Sequence, residues 1–300
     1  MSERSGMEIA GLHFSIRYRD PLVFQDADAI YASFMHSREV GMPADCDIVL
    51  ILEDAPDIEK MTRIFDSGES WSMFQDGDEY LIVHNPPSMP GQIAWAARCS
   101  RDFSRVTIYC GEAFKGKPSL PSPLCYPLDQ ILMMHILSGN QGAIMHAAGV
   151  QTGGSGYIFP GKSGAGKSTL TRQFAGRPGT GLLSDDRVVV RKIDGCFHAF
   201  GTPWPGEGMV AINESVPLAG IFFILKGSRN KIKEITARTA LERLLPVVSV
   251  PWYDRKVMAG ILSFFEDLVS RVPVCEMLFT PGPAAADCFE EFLSKREPGG

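Results

Sequence analysis

The sequence holds no apolar run long enough to cross a bilayer as a helix; its longest, residues 216–225, is short and contains Pro217. The opening segment, MSERSGMEIAGLHF, lacks the apolar stretch of a secretory signal. The seven cysteines (Cys46, Cys99, Cys110, Cys125, Cys196, Cys275 and Cys288) are odd in number, and none forms a C-x-x-C pair. That argues against a disulfide scaffold and against a structural zinc site, and it sets the expectation of a reducing, cytoplasmic compartment. Positive charge is also scarce: 29 Lys and Arg stand against 35 Asp and Glu, a net charge of −6. Nucleic-acid affinity comes mainly from cations that neutralise phosphates, so nucleic acid is not the expected partner, and neither is a membrane. Internal repeats and low-complexity tracts are absent. What remains is a 300-residue chain with 45% apolar residues, enough for one large domain or two ordinary ones with unstapled cores.

Residues 115–127, KGKPSLPSPLCYP, hold four prolines and read as an extended linker. They suggest a β-rich domain over 1–120 and a second domain over 121–300. Before the linker, alternating segments at 48–52, 71–74, 80–83, 92–97 and 106–109 predict half-buried strands, with one helix at 27–36. After it, helices are expected at 128–137, 167–174, 236–245, 256–269 and 283–295. Strands are expected at 144–151, 156–159, 181–184, 187–192, 221–225 and 274–279. The fold class is thus α/β with a mononucleotide-binding character, preceded by a β-rich α+β domain.

The most specific motif is Gly161-Lys162-Ser163-Gly164-Ala165-Gly166-Lys167-Ser168, followed by Thr169. It fits the phosphate-binding pattern G-x-x-x-x-G-K-[ST], with a predicted strand before it and a helix after it. Glycines let backbone N–H groups approach phosphate oxygens, Lys167 can bridge the β- and γ-phosphates, and the Ser168 hydroxyl can ligate Mg²⁺. A guanine-reading N-K-x-D is missing, because Asn230-Lys231-Ile232-Lys233 lacks the aspartate. The string Leu137-Ser138-Gly139-Asn140-Gln141, like an ABC signature, precedes the loop instead of following it.

Three further features carry chemistry. Asp185-Asp186 follows a short strand, and a sheet with adjacent parallel strands would bring both to one edge of the nucleotide site. One carboxylate could hold Mg²⁺ and the other accept a proton; a solvated turn is the plainer alternative. His146 ends an apolar strand among small residues, as a ligand-facing group or as a hydrogen-bonded core histidine. Glu207, in the loop Gly201-Thr202-Pro203-Trp204-Pro205-Gly206-Glu207-Gly208, could complete a metal site or sit in a structural turn.

In their order and spacing, His146, the glycine loop, Asp185-Asp186-Arg187-Val188 and the acidic glycine loop resemble the kinase domain of HPr kinase/phosphorylase, a family related in fold to phosphoenolpyruvate carboxykinase. The likeness covers about residues 142–224. It implies an ATP- and Mg²⁺-dependent kinase acting on a serine or threonine hydroxyl of a peptide or protein. By that likeness Lys167 contacts phosphates, Asp185 and Asp186 supply the general base, and His146 supports it. Ser168, Asp185 and Glu207 form the metal set. Thr169 stands where the family usually has glutamate, and 250–255, VPWYDR, only loosely matches the family's phosphorolysis segment. The overall layout looks more like HPr-kinase-like proteins of peptide-modification cassettes, the SynChlorMet type among them, so HPr itself is not assigned as the acceptor. The N-terminal domain would present or select the acceptor. A nucleotide-gated adaptor, a small-molecule kinase and a homo-oligomer all remain open on sequence.

Overall fold

A computed structural model describes residues 4–20, 29–37, 43–111 and 122–296. The chain divides into two compact units, Met1–Ile136 and Leu137–Gly300. The boundary expected at 120/121 and part of the proline linker lie outside the described residues; the division itself falls inside the helix α1 (Leu128–Gly139).

Unit 1 is built on one nine-stranded sheet. Its strands are β1 (Arg4–Ile9), β2 (Leu12–Tyr18), β3 (Met35–Ser37), β4 (Cys46–Ile51), β5 (Thr62–Asp66), β6 (Trp71–Asp76), β7 (Glu79–His84), β8 (Trp95–Ser100) and β9 (Arg105–Tyr109). Their order is β3-β1-β2-β4-β9-β8-β7-β6-β5, and only the β2–β4 and β4–β9 pairs are parallel. Alternation along β2, with Leu12, Phe14 and Ile16 inward, puts one face of the strand in the core. On α1, buried Asp129 accepts a 2.6 Å hydrogen bond from the Tyr31 hydroxyl, and His135 stacks on Phe103.

Two expectations for this half need correction. Of the helix expected at 27–36, residues 27–28 lie outside the described residues, 29–34 are turns, and Met35–Ser37 pairs with β1. The pairing wins because Gly6 leaves room for the His36 ring, which would lie 2.5 Å from a Cβ there. The strand expected at 92–97 begins instead at Trp95, after the turn that Pro90 and Gly91 impose.

Unit 2 contains β10 (Gly142–Thr152), β11 (Ser155–Pro160), α2 (Lys167–Phe174), β12 (Thr180–Ser184), β13 (Arg187–Ile193), β14 (Cys196–Phe200), β15 (Ser215–Lys226) and β16 (Lys231–Glu234). It continues with α3 (Ala237–Leu244), β17 (Val248–Ser249), α4 (Arg255–Arg271), β18 (Val274–Phe279) and α5 (Ala284–Ser294). Two long strands organise it. The first half of β10 pairs with β13 and the second half with β11 and β12. β15 pairs in turn with β14, β11 and β18, so β11-β10-β13-β14-β15 closes into a ring. Strands that change partners along their length are how a sheet turns a corner. β11, which leads into the glycine loop, is parallel to β15, but the parallel adjacency expected between it and β12, the strand before the acid pair, is not found. β10 lies between β11 and β12 and is antiparallel to both.

The apolar faces of these strands are covered from two sides. Ile221 and Phe223 belong to a core with Leu244, Phe265 and Leu268 of α3 and α4. Phe222 and Ile224, the alternate residues of β15, join Leu170, Phe174, Ala285 and Phe289 of α2 and α5. Phe289 is fully buried among the rings of Tyr157, Phe159, Phe174 and Phe222. Truncating it should destabilise unit 2 by about 3–5 kcal/mol, the usual cost of a core aromatic cavity. Leu262, which is 41% exposed, should cost less than about 0.5 kcal/mol on truncation. Denaturant unfolding of Phe289→Ala and Leu262→Ala checks this, and equal losses would refute the core assignment.

Candidate active site

The site is assembled around one peptide unit of β10. The His146 carbonyl accepts the Gly161 N–H at 3.0 Å, and the Ala147 N–H donates to the Asp186 carbonyl at 2.9 Å. In a planar trans peptide these groups point in opposite directions. The start of the glycine loop and the acid pair are thus fixed on either edge of β10, with His146 between them. Just before the acid pair, the buried Ser184 hydroxyl accepts the N–H groups of Asp186 and Arg187, at 3.4 and 3.2 Å, and shapes the turn.

The loop from Gly161 to Ser168 links β11 to α2. Gly166, the residue before the helix, has φ 105°, and a Cβ there would meet the Phe279 ring at 2.5 Å. Glycine is required on both counts. No side chain caps α2, and the N–H groups of Gly164, Gly166, Lys167, Ser168 and Thr169 meet no protein acceptor among the described residues. Lys162, Ser163 and Gly164 are exposed. Uncapped amides at a helix N-terminus, beside a lysine, are a donor set that suits phosphate oxygens.

Lys167 points back under its own loop. Its ammonium donates to the carbonyls of Gly161 and Lys162, at 2.9 and 3.4 Å, and lies 2.7 Å from His146 Nε2. The side chain is only 6% exposed, and burial lowers its pKa from the ordinary value, against the opposing pull of Asp186. His146 Nε2 is also 2.7 Å from Asp186 Oδ1. One ring nitrogen serves one such partner at a time: it accepts from the Lys167 ammonium when unprotonated and donates to Asp186 when protonated. Asp186 lies 3.6 Å from Lys167 Nζ and 3.6 Å from Arg187 Nε. Burial works against its charge, but the His146 hydrogen bond and the charges of His146, Arg187 and Lys167 outweigh that and hold its pKa low.

Asp185 has a different role. It is 1% exposed, and its oxygens accept the N–H groups of Gly206, Gly208 and Val210, at 2.9, 2.6 and 3.3 Å. Adjacent residues of the turn thus face opposite tasks: Asp186 toward the glycine loop, Asp185 into the 201–212 segment. Thr202 donates to the Arg187 carbonyl at 2.7 Å and ties the same segment down. Glu207 is exposed on it and makes no side-chain bond among the described residues. Of the metal set expected from sequence, Ser168 lies at the start of α2, Asp185 accepts three amides, and Glu207 is exposed on the segment that Asp185 holds. Among the described residues no group of three or more His, Cys, Asp or Glu side chains is placed to hold a metal. Mg²⁺ does not need such a cage when phosphate oxygens and water supply most of its shell, so the Ser168 hydroxyl beside a phosphate cradle fits it.

Sequence reading picked out His146, Lys167 and Asp186, which the fold brings into contact. It passed over Ser184, Arg187 and Thr202. Arg187 stood inside the quoted Asp185-Asp186-Arg187-Val188 string, so its adjacency was visible; the Ser184 turn and the Thr202 tie had no local signature.

Two outcomes follow for stability. Asp185→Ala should cost roughly 1–3 kcal/mol, because three part-buried amides lose a buried charged acceptor. For Asp186, the folded pKa lies below the ordinary 3.8, so the native state binds the proton less tightly than the unfolded chain. Its contribution is present above about pH 4 and is lost as pH falls through the native value. The stability gap between wild type and Asp186→Asn should accordingly shrink on acidification; unfolding free energies measured across that range would show a constant or widening gap if the assignment were wrong. Compared with protein-family models and with curated proteins, the chain matches none, and the chemistry of the site rests on its own residues.

Proposed function

We propose that this chain is an ATP- and Mg²⁺-dependent kinase that transfers the γ-phosphoryl group to a serine or threonine hydroxyl of a peptide or protein, in a P-loop domain resembling that of HPr kinase/phosphorylase. One observation carries the reading. The Asp186 carboxylate is held beside Lys167 and His146 at the mouth of an uncapped phosphate-type loop, while its neighbour Asp185 is fully engaged elsewhere. The amides of Gly164, Gly166, Lys167, Ser168 and Thr169 bind phosphate oxygens, and Lys167 leaves its resting carbonyls to join them. The Ser168 hydroxyl is the protein's ligand to Mg²⁺, which when bound supplies charge neutralisation across the phosphates. Asp186, ionised at neutral pH, accepts the proton of the attacking hydroxyl, and His146 fixes the carboxylate's orientation. Once Lys167 has moved, His146 Nε2 is free to serve Asp186 alone. Arg187 adds positive potential on the far side of Asp186.

A cytoplasmic setting goes with this reading. None of the seven cysteines forms a disulfide, and among the described residues no helix is long and apolar enough to cross a membrane.

The test separates binding from chemistry. Lys167→Ala should weaken Mg-ATP binding at least about ten-fold, the worth of a charge-assisted contact. Asp186→Asn should leave binding within a few-fold and lower phosphoryl transfer by about 10²–10⁴, the range of general-base catalysis. Calorimetric nucleotide titration and transfer of labelled γ-phosphate check both. Full transfer activity in Asp186→Asn would remove the base from the mechanism, and activity that needs nucleotide binding but no transfer would point to a nucleotide-gated adaptor.

A further inference from the structure

Residues 201–212 present a contrast that folding alone does not account for. Trp204, at the start, is buried to 5% exposure, whereas Met209 is 63% exposed and Ile212 is 37% exposed. Met209 also adopts φ 53°, in the left-handed region that disfavours residues carrying a Cβ. An apolar side chain is therefore both strained in its backbone and left in water, and neither helps the fold.

The segment carrying it is firmly placed. Asp185 grips the amides of Gly206, Gly208 and Val210, on both sides of Met209, and Ala211 is bridged to Ser184. The Met209 N–H donates to the Gly206 carbonyl at 3.1 Å. The segment also lies directly on the acid pair, since a Cβ on Gly206 would be 3.0 Å from the Asp186 Cβ. Residues 206–209 thus form a rim beside the residue that the kinase reading makes the base.

We propose that Met209 selects the acceptor by receiving an apolar side chain next to the hydroxyl to be phosphorylated. This rests on the kinase reading and specifies its substrate: a polypeptide segment with an aliphatic or aromatic neighbour to its serine or threonine. Exposed Glu207, also on the rim, disfavours acidic neighbours. The rigid anchoring explains why a strained methionine is useful here: a fixed apolar contact loses little conformational freedom on binding.

The full chain with Mg-ATP, offered a serine-centred peptide library randomised at the flanking positions, tests this. Wild type should enrich Leu, Ile, Met or Phe near the labelled serine. Met209→Glu should lose that preference by about ten-fold or more, in line with the discrimination available from one apolar pocket contact. Met209→Gly should lose it too while melting at the same or a higher temperature, because glycine relieves the left-handed backbone. Mg-ATP affinity should be unchanged in both variants. Labelled peptides with identical preferences in wild type and variants would overturn this inference while leaving the kinase reading intact. Normal nucleotide binding without any labelled peptide would overturn both.

Discussion

A single peptide unit, the one joining His146 to Ala147, sets the geometry on which the site depends. Its carbonyl holds the first glycine of the 161–168 loop and its N–H holds the Asp186 carbonyl. Loop and acid pair thus share a template whose two ends are rigidly opposed. A helix or a second loop in that place would let the two move independently. A strand bonded on both edges does not, and β10 is paired on both edges at Ile144–Met145 and at Gly149–Thr152, on either side of that peptide. The ring closed by β15 fixes the far ends of the same strands.

Electrostatics then divides the labour. Burying an ammonium is unfavourable unless its donors are satisfied, and Lys167 meets that condition with two carbonyls and an imidazole nitrogen of its own domain. The Asp185 charge is spent on three amides. Two neighbouring carboxylates of identical chemistry thus differ in function because the turn at Ser184 sends their side chains to different surroundings.

Much of this was legible in the sequence, and the gaps have physical causes. The glycine loop and the helix at Lys167–Phe174 were visible because phosphate cradles need particular residues at fixed spacing. The strands of the second unit stood out as apolar runs between glycines. The β1–β2 hairpin escaped notice although Leu12–Tyr18 alternates cleanly, and its Ala10-Gly11 turn has the left-handed φ values that a tight hairpin requires. The false helix at 27–36 failed because pairing with β1 outweighed local propensity. The order of strands around β10 could not be read at all, since long-range pairing leaves no mark in local pattern. That is also why the two aspartates could be named but not told apart.

The Asp185 anchor recognises backbone and ignores side chains. Only Gly206 and Gly208 are constrained by it, because a Cβ at either would press on the acids at 3.0 and 2.7 Å. Exposed Glu207 and Met209, beside those glycines, can change without disturbing the Asp185 hold, whereas Thr202 ties the segment through its own side chain. The fold thereby separates what must stay constant from what is free to drift. Point changes at the exposed positions of this segment would thus remodel its surface and leave the placement of the acid pair intact.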